Sequence, residues 1–440
     1  MSKKIHLLFL TQLVFFTAPC LSNSSKDPLA NCTVVPFEML GLTPGSDITE
    51  LNLNWYSDGS ENNKKTSVRL FDSAGKFISI TYGKTGTASA GKLYHRVTLK
   101  NLKAGAKYKY SVSSDSVNCS DMYNYSTPAA GAFRFAVVAD PQLTTGSQDS
   151  ESIYADKSTA EGWAQTVSKI AAANASLIVS AGDQVDKIAY GDENEYANLF
   201  APAALRSIPF APTVGNHDRH CPFIYHFNLP NEQDASAKCT GNGQATVEKA
   251  GNYFYLYNNV LFIALNTSAY PGSKKNAASY ITVFENTIKA AKTANAGKYD
   301  WLVVHHHKST ASVAIHVADS DIQYYVEAGF EKLMTTHGVD LVLAGHDHIY
   351  VRSHLMKQDS IDDFSVRSVD GKGTIYLTLT TAGGLKYYSP SVAVINNPPL
   401  SLFKQSQNKM PEYTIIDVDG VKMSIKTLGI NGSVVDSWSF

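Results

Sequence analysis

Three scarcities stand out in this 440-residue sequence: long apolar runs, surplus charge of either sign, and cysteine. Past the first few tens of residues, no stretch approaches the roughly 18 uninterrupted apolar residues that a membrane helix requires. No membrane span is therefore expected. Lysine and arginine total 38 against 39 acidic residues, and no basic cluster exceeds two or three residues. That balance excludes the basic footprint of a nucleic-acid binder and an electrostatic membrane anchor. No internal repeat is visible, and lone glycine spacings such as GNG at Gly241 fall short of a phosphate-cradling loop. The cysteines number five: Cys20, Cys32, Cys119, Cys221 and Cys239.

What is present begins at the N-terminus. Lys3 and Lys4 precede an apolar run from Ile5 to Phe16, followed by small residues. That pattern predicts a secretory signal peptide over residues 1–22 and an exported product: secreted, periplasmic or on the cell surface. An oxidising compartment favours disulfides, and locality favours Cys32 with Cys119 and Cys221 with Cys239. Seven N-x-S/T sequons occur, among them Asn118, Asn124, Asn266 and Asn431.

Residues 33–128 read as an all-β unit. The segments ELNLNWYS (Glu50 to Ser57) and SVRLF (Ser67 to Phe71) alternate apolar and polar positions. Glycine and asparagine breaks recur every eight to twelve residues, as in a small fibronectin type III-like sandwich. After a small-residue linker, STPAAGAF (Ser126 to Phe133), residues 132–440 change texture. Apolar strands such as FRFAVVAD and LIVSAGD alternate with helical segments, which predicts an α/β layered domain.

In such sheets, ligands bind beyond the carboxyl ends of the strands. Those ends supply Asp140, Asp183, Asn216 and His217 in VGNHD, the run His305-His306-His307, and His346 and His348 in AGHDH. Each alone has a bland explanation as a turn former or exposed loop. Together they read as a site for two cations about 3.5–4 Å apart, with Asp183 as the bridging carboxylate. Oxygen and imidazole donors without cysteine suit iron, manganese or zinc. Strand alternation places His305 and His307 on one face and His306 on the other.

The order Asp140, Gly182-Asp183, Gly215-Asn216-His217-Asp218, Val304-x-x-His307 and Gly345-His346-x-His348 resembles the calcineurin-like metallophosphoesterase signature. GHDHIYVRS (Gly345 to Ser353) and the preceding sandwich bring the sequence closer to purple acid phosphatases. The resemblance implies two mixed β-sheets flanked by helices. It also implies one metal on Asp140, Asp183 and His348, and another on Asp183, Asn216, His346 and one histidine of the run. The family's spacings select His307, six residues after Trp301 and nine before His316, with His306 as the alternative. Two departures stand out. Asp186 occupies the place of the family's iron-binding tyrosine, so no tyrosinate colour is expected. Gln142 stands where many relatives have histidine, and would ligate through its amide oxygen or bind a metal-held water.

The expected reaction is hydrolysis of a small phosphorylated substrate, a phosphomonoester, by hydroxide generated on the metals. His217, oriented by Asp218, would serve the leaving group; His316 would contact substrate, and Arg352 could touch phosphate. Two alternatives remain at this stage. One is a phosphodiesterase or nucleotide pyrophosphatase on the same site; the other is a cell-surface binding protein with a vestigial centre.

Overall fold

The computed structural model describes residues 26–59, 65–187, 194–218, 221–233, 250–357, 360–362, 373–395 and 402–440. The expected signal peptide, Cys20 and Cys239 lie outside these residues. Among the described residues, no helix is long and apolar enough to cross a membrane.

The N-terminal unit packs two four-stranded antiparallel sheets face to face. One pairs Glu38–Pro44, Leu51–Asp58, Lys92–Leu99 and Lys84–Thr87; the other pairs Tyr123–Ser126, Lys107–Ser113, Ser67–Asp72 and Phe77–Tyr82. Period-2 alternation drives the fold, because Leu51, Leu53 and Trp55 all point into a shared core with Val68, Leu70 and Tyr110. The intervening Asn52, Asn54 and Tyr56 are buried too, since the second unit covers the opposite face. Cys32 and Cys119 form the expected disulfide, with Cα atoms 5.8 Å apart. Cys221 is also disulfide-bonded.

The second unit is built on a six-stranded and a seven-stranded mixed sheet, in agreement with the expected fold class. The six-stranded sheet carries Phe133–Val138, Ile178–Ser180 and Phe210–Ala211 in parallel, then Glu412–Asp419, Lys422–Gly429 and Val434–Ser439. At the centre of the seven-stranded sheet, Val260–Leu265, Trp301–Lys308, Leu341–Gly345 and Ile375–Thr378 run parallel. Between the sheets lies one apolar layer that includes Phe135, Val137, Phe262, Val303, Leu341 and Ile416.

Helices cover the outer faces. The Thr159–Ala172 helix starts at Ser158, whose side chain accepts from Glu161 N–H while Glu161 accepts from Ser158 N–H. That reciprocal cap satisfies two otherwise orphaned donors. Trp163, Val167 and Ile170, at helical spacing, bury against the six-stranded sheet. Phe284, Ile288 and Ala291 of the Lys274–Ala294 helix do the same on the other side.

A polar and aromatic seam joins the two units. The His226 ring stacks between Tyr56 and Tyr196 with centroids 4.3 and 3.9 Å away. Beside it, Thr43 Oγ1 donates to Asn228 O at 2.6 Å and Tyr110 OH to Arg206 O at 2.8 Å.

Candidate metal centre

Parallel strands deliver their carboxyl ends to one edge of the second unit, and the turns that follow are conformationally unusual. Asp140, Gln142, Asp183, His346 and His348 all have positive φ, at 46°, 40°, 52°, 71° and 46°. Non-glycine residues rarely adopt that region, and such strain gathers where a site over-determines the backbone. Hydrogen bonds hold the turns there: Asp140 N–H donates to Gly182 O (3.0 Å) and Gln142 N–H to Asp183 O (2.8 Å). Thr381 Oγ1 donates to Asp140 O at 2.6 Å. Glycine is required beside them. A Cβ on Gly215 would lie 2.0 Å from Asp183 Oδ1, and one on Gly345 would lie 2.4 Å from Asp140 Oδ2.

The side chains converge on two adjoining positions. His307 Nε2 stands 3.2 Å from Asp183 Oδ2, 3.0 Å from Asn216 Oδ1 and 3.2 Å from His346 Nδ1. The donor atoms of Asp183, His307 and His346 all lie within 4.8 Å of one another. Next to them, His348 Nε2 stands 3.3 Å from Asp140 Oδ1. His307 and His348 each donate Nδ1–H to a carbonyl, Ala181 O and Lys386 O, both at 2.9 Å. Those bonds orient both rings and turn each Nε2 toward the carboxylates, the atom a metal would take once its proton is displaced. Gln142 Nε2 donates to Asp183 Oδ2 at 3.4 Å, while the buried Oε1 of Gln142 has no partner among the described residues. An orphaned acceptor amid acidic and imidazole donors fits a bound cation.

The electrostatics agree. Burial alone would lower His307, yet the charges of Asp183 and Asp140 lift it to about 9. Burial likewise pushes Asp183 up, but His307 and His217 hold its carboxyl below the ordinary range. His348 is raised by Asp140 in spite of its burial. Cations binding there must displace the protons that the acidic neighbours favour on His307 and His348.

His217 and His316 stand at the rim. His217 Nδ1–H donates to Asp186 O at 2.5 Å, its backbone N–H donates to Asp183 Oδ1 at 2.9 Å, and its Nε2 stands 3.9 Å from Asp183 Oδ2. His316 Nδ1 pairs with Asp319 Oδ2 at 2.8 Å, and its ring lies 4.9 Å from that of His346.

The expectations for His306, Asp218 and Arg352 need correction. His306 packs against Phe330 with ring centroids 4.8 Å apart, on the face of the strand away from the centre, and burial lowers it to about 3. His305 shares the face of His307 but is buried in the core, held by Thr213 Oγ1 at 2.6 Å. Asp218 does not orient His217. Its buried carboxylate accepts from Gln184 and Gly215, and Asp186 holds the His217 ring instead. Arg352 is buried and ion-paired to Asp436 at 2.8 Å, its guanidinium between Phe403 and Trp438. Its charge is thus committed to the core of the unit.

The sequence reading missed the turn after Ile375–Thr378. Lys386 bonds Asp186 Oδ1 at 3.3 Å, and the Tyr388 ring lies 4.9 Å from His316 and 5.0 Å from His348. This strand ends in TTAGG, without acid or imidazole, so nothing marked it as a contributor. Tracking every parallel strand end, whatever its residue type, would have found it.

A family model described as calcineurin-like phosphoesterase matches residues 133–350, and one described as the purple acid phosphatase N-terminal domain matches residues 38–127. Among solved structures, purple acid phosphatase PPD1 from seeds of yellow lupin (Lupinus luteus) is similar at a TM-score of 0.65 and 16% identity. The match covers 91% of this chain and 73% of that one. PhoD is similar at a TM-score of 0.60 and 12% identity, over 92% of this chain and 93% of that one. At these identities the structural likeness is one of fold.

Proposed function

The chain belongs to the calcineurin-like phosphoesterases, and we propose that it is an exported phosphatase hydrolysing phosphomonoesters at a two-metal centre. One observation carries this reading: two carboxylates, an asparagine and three histidines meet at two adjoining positions, with Nε2 of His307 and His348 already turned toward the carboxylates. Asp140, Asp183 and His348 would hold one cation, with Gln142 Oε1 close by. Asp183, Asn216, His307 and His346 would hold the other. Manganese, zinc or iron suits this donor set. A bound pair supplies Lewis acidity toward phosphoryl oxygens and generates a nucleophile from water near neutral pH.

The chain's own residues do the rest. With its Nδ1–H committed to Asp186 O, His217 presents Nε2 to the pocket, placed to donate a proton to the leaving oxygen. Asp319 orients His316 on the other side of the rim, where it contacts the substrate. Burial of Asp140, Asp183, His307 and His348 excludes competing water and strengthens each electrostatic contact. Burial, with Asp140 nearby, pushes the Tyr388 phenol up to about 12, so it stays protonated. Asp186 is engaged by Lys386, and no tyrosinate band is expected. The Cys32–Cys119 disulfide supports an oxidising destination.

The deciding experiment compares p-nitrophenyl phosphate with bis-p-nitrophenyl phosphate after metal stripping and separate reloading with manganese, zinc and iron. Metal-dependent turnover of the monoester should fall roughly a thousandfold or more in Asp183→Asn. Absence of metal-dependent turnover on either ester would sink the proposal.

A further inference from the structure

Lys386 is the one residue of the missed turn whose two ends are both tied to the centre. Its carbonyl accepts Nδ1–H of His348 at 2.9 Å, and its ammonium donates to Asp186 Oδ1 at 3.3 Å. Asp186 in turn holds His217, through its carbonyl at 2.5 Å and its carboxylate at 3.6 Å. The Lys386 side chain therefore crosses from the Asp140–His348 corner to Asp186, which holds the residue proposed to serve the leaving group.

Its backbone is anchored as firmly. Gly383 and Gly384 N–H donate to Thr381 Oγ1 at 3.3 and 2.9 Å, and Gly384 O accepts from Asp149 N–H at 2.9 Å. Gly384 has φ of 92°, and a Cβ there would meet Gln148 Oε1 at 2.4 Å, so the turn has little freedom. An ammonium has three donors and the bond to Asp186 takes one. The side chain of Lys386 is 36% exposed, so it is not sealed against protein on every side.

We propose that Lys386 donates to a peripheral oxygen of the bound phosphoryl group and makes the site select dianionic monoesters over monoanionic diesters. This inference rests on the phosphatase reading and deepens it. A phosphomonoester carries about −1.5 to −2 charges near pH 7, and a diester one. A fixed ammonium across the pocket therefore gains more from the monoester. Asp186 keeps the ammonium aimed while the pocket waits for substrate.

The test uses the full chain loaded with metal, and the variants Lys386→Met and Lys386→Arg. In Lys386→Met, kcat/KM for p-nitrophenyl phosphate should fall about 10- to 100-fold, the range of one charge-assisted hydrogen bond. For bis-p-nitrophenyl phosphate it should change by less than about threefold, and Lys386→Arg should restore most of the monoester rate. Calorimetric titration with inorganic phosphate reads the same contact without turnover, and its Kd should rise about tenfold or more in Lys386→Met. Equal losses on both esters would show that Lys386 merely braces the turn. An unchanged phosphate Kd would also overturn the inference. A wild-type protein inert toward both esters would refute the phosphatase reading, while the phosphate titration would still decide on Lys386. Melting curves, and Lys386→Gln as a second neutral variant, separate misfolding from lost selectivity.

Discussion

Asp218 and Gln184 form a buried clasp: the carboxylate accepts the Gln184 backbone N–H at 3.0 Å and its side-chain amide at 2.7 Å. The same carboxylate accepts Gly215 N–H at 3.0 Å. It thereby joins the turn bearing Asp183 to the turn bearing Asn216. Burial and the nearby Asp183 push its carboxyl up to about 8, against the pull of the Gln184 and Gly215 donors. Asp218→Ala should destabilise the fold by about 2–4 kcal/mol, because several buried donors lose their acceptor. Urea unfolding and metal titration check this. Wild-type stability combined with a selective loss of kcat would return Asp218 to the role of orienting His217.

Gly215 offers a sharper steric test. A methyl group there would lie 2.0 Å from Asp183 Oδ1 and 2.2 Å from Asp183 N, so the backbone itself must move. Gly215→Ala should lose about 1–3 kcal/mol of stability and most of its bound metal. Gly146→Ala, whose Cβ would find its nearest neighbour 3.7 Å away, serves as the control. Elemental analysis of both purified variants gives the comparison, and equal metal content would refute the prediction.

Acid should loosen the seam between the two units. Burial, with Arg96 nearby, lowers His226 to about 3 in spite of the Pro222 carbonyl that favours the proton. The unfolded chain titrates near 6.5, so it takes up the proton first as pH falls. Stability contributed by neutral His226 is then intact above about pH 6.5 and declines toward pH 3 by about 1.4 kcal/mol per unit. His226→Phe keeps the stack between Tyr56 and Tyr196 and removes that proton. Its urea midpoints between pH 7 and pH 4 should decline less steeply than those of the wild type, and parallel curves would contradict the assignment.

Arg352 should behave as a structural residue. Its guanidinium lies 4.3 Å from the Phe403 ring centroid and 4.7 Å from that of Trp438, with Asp436 at 2.8 Å. Arg352→Met leaves Asp436 without that partner and should lower the melting temperature while KM for the monoester stays unchanged. A raised KM at wild-type stability would restore a contact with substrate.

The sequence carried the fold class because period-2 segments such as Leu51 to Asp58 and the apolar strands before Asp140 and Asp183 encode their own layer. It carried the convergence of the site because ligand-type residues follow consecutive parallel strands. Pairings made across long separations were not legible. Asp218 neighbours His217 in the chain, yet its carboxylate is claimed by Gln184, 34 residues earlier. Arg352 follows the last histidine motif, but its partner Asp436 lies 84 residues further on. Lys386 escaped notice for the same reason, since its importance lies in reaching Asp186, 200 residues earlier. His306 was ambiguous only until Phe330 supplied its neighbour.

Asp140, Asp183 and Asn216 hang from turns of the six-stranded sheet, whereas His307, His346 and His348 belong to the seven-stranded one. Cations held by both groups would rivet the two halves of the sandwich at one edge. Occupancy and cohesion would then be a single equilibrium, in which free metal stabilises the closed form by mass action. A stripped chain should breathe first along that edge, and hydrogen exchange in the Trp301–Lys308 and Phe133–Val138 strands would register how much metal the protein holds.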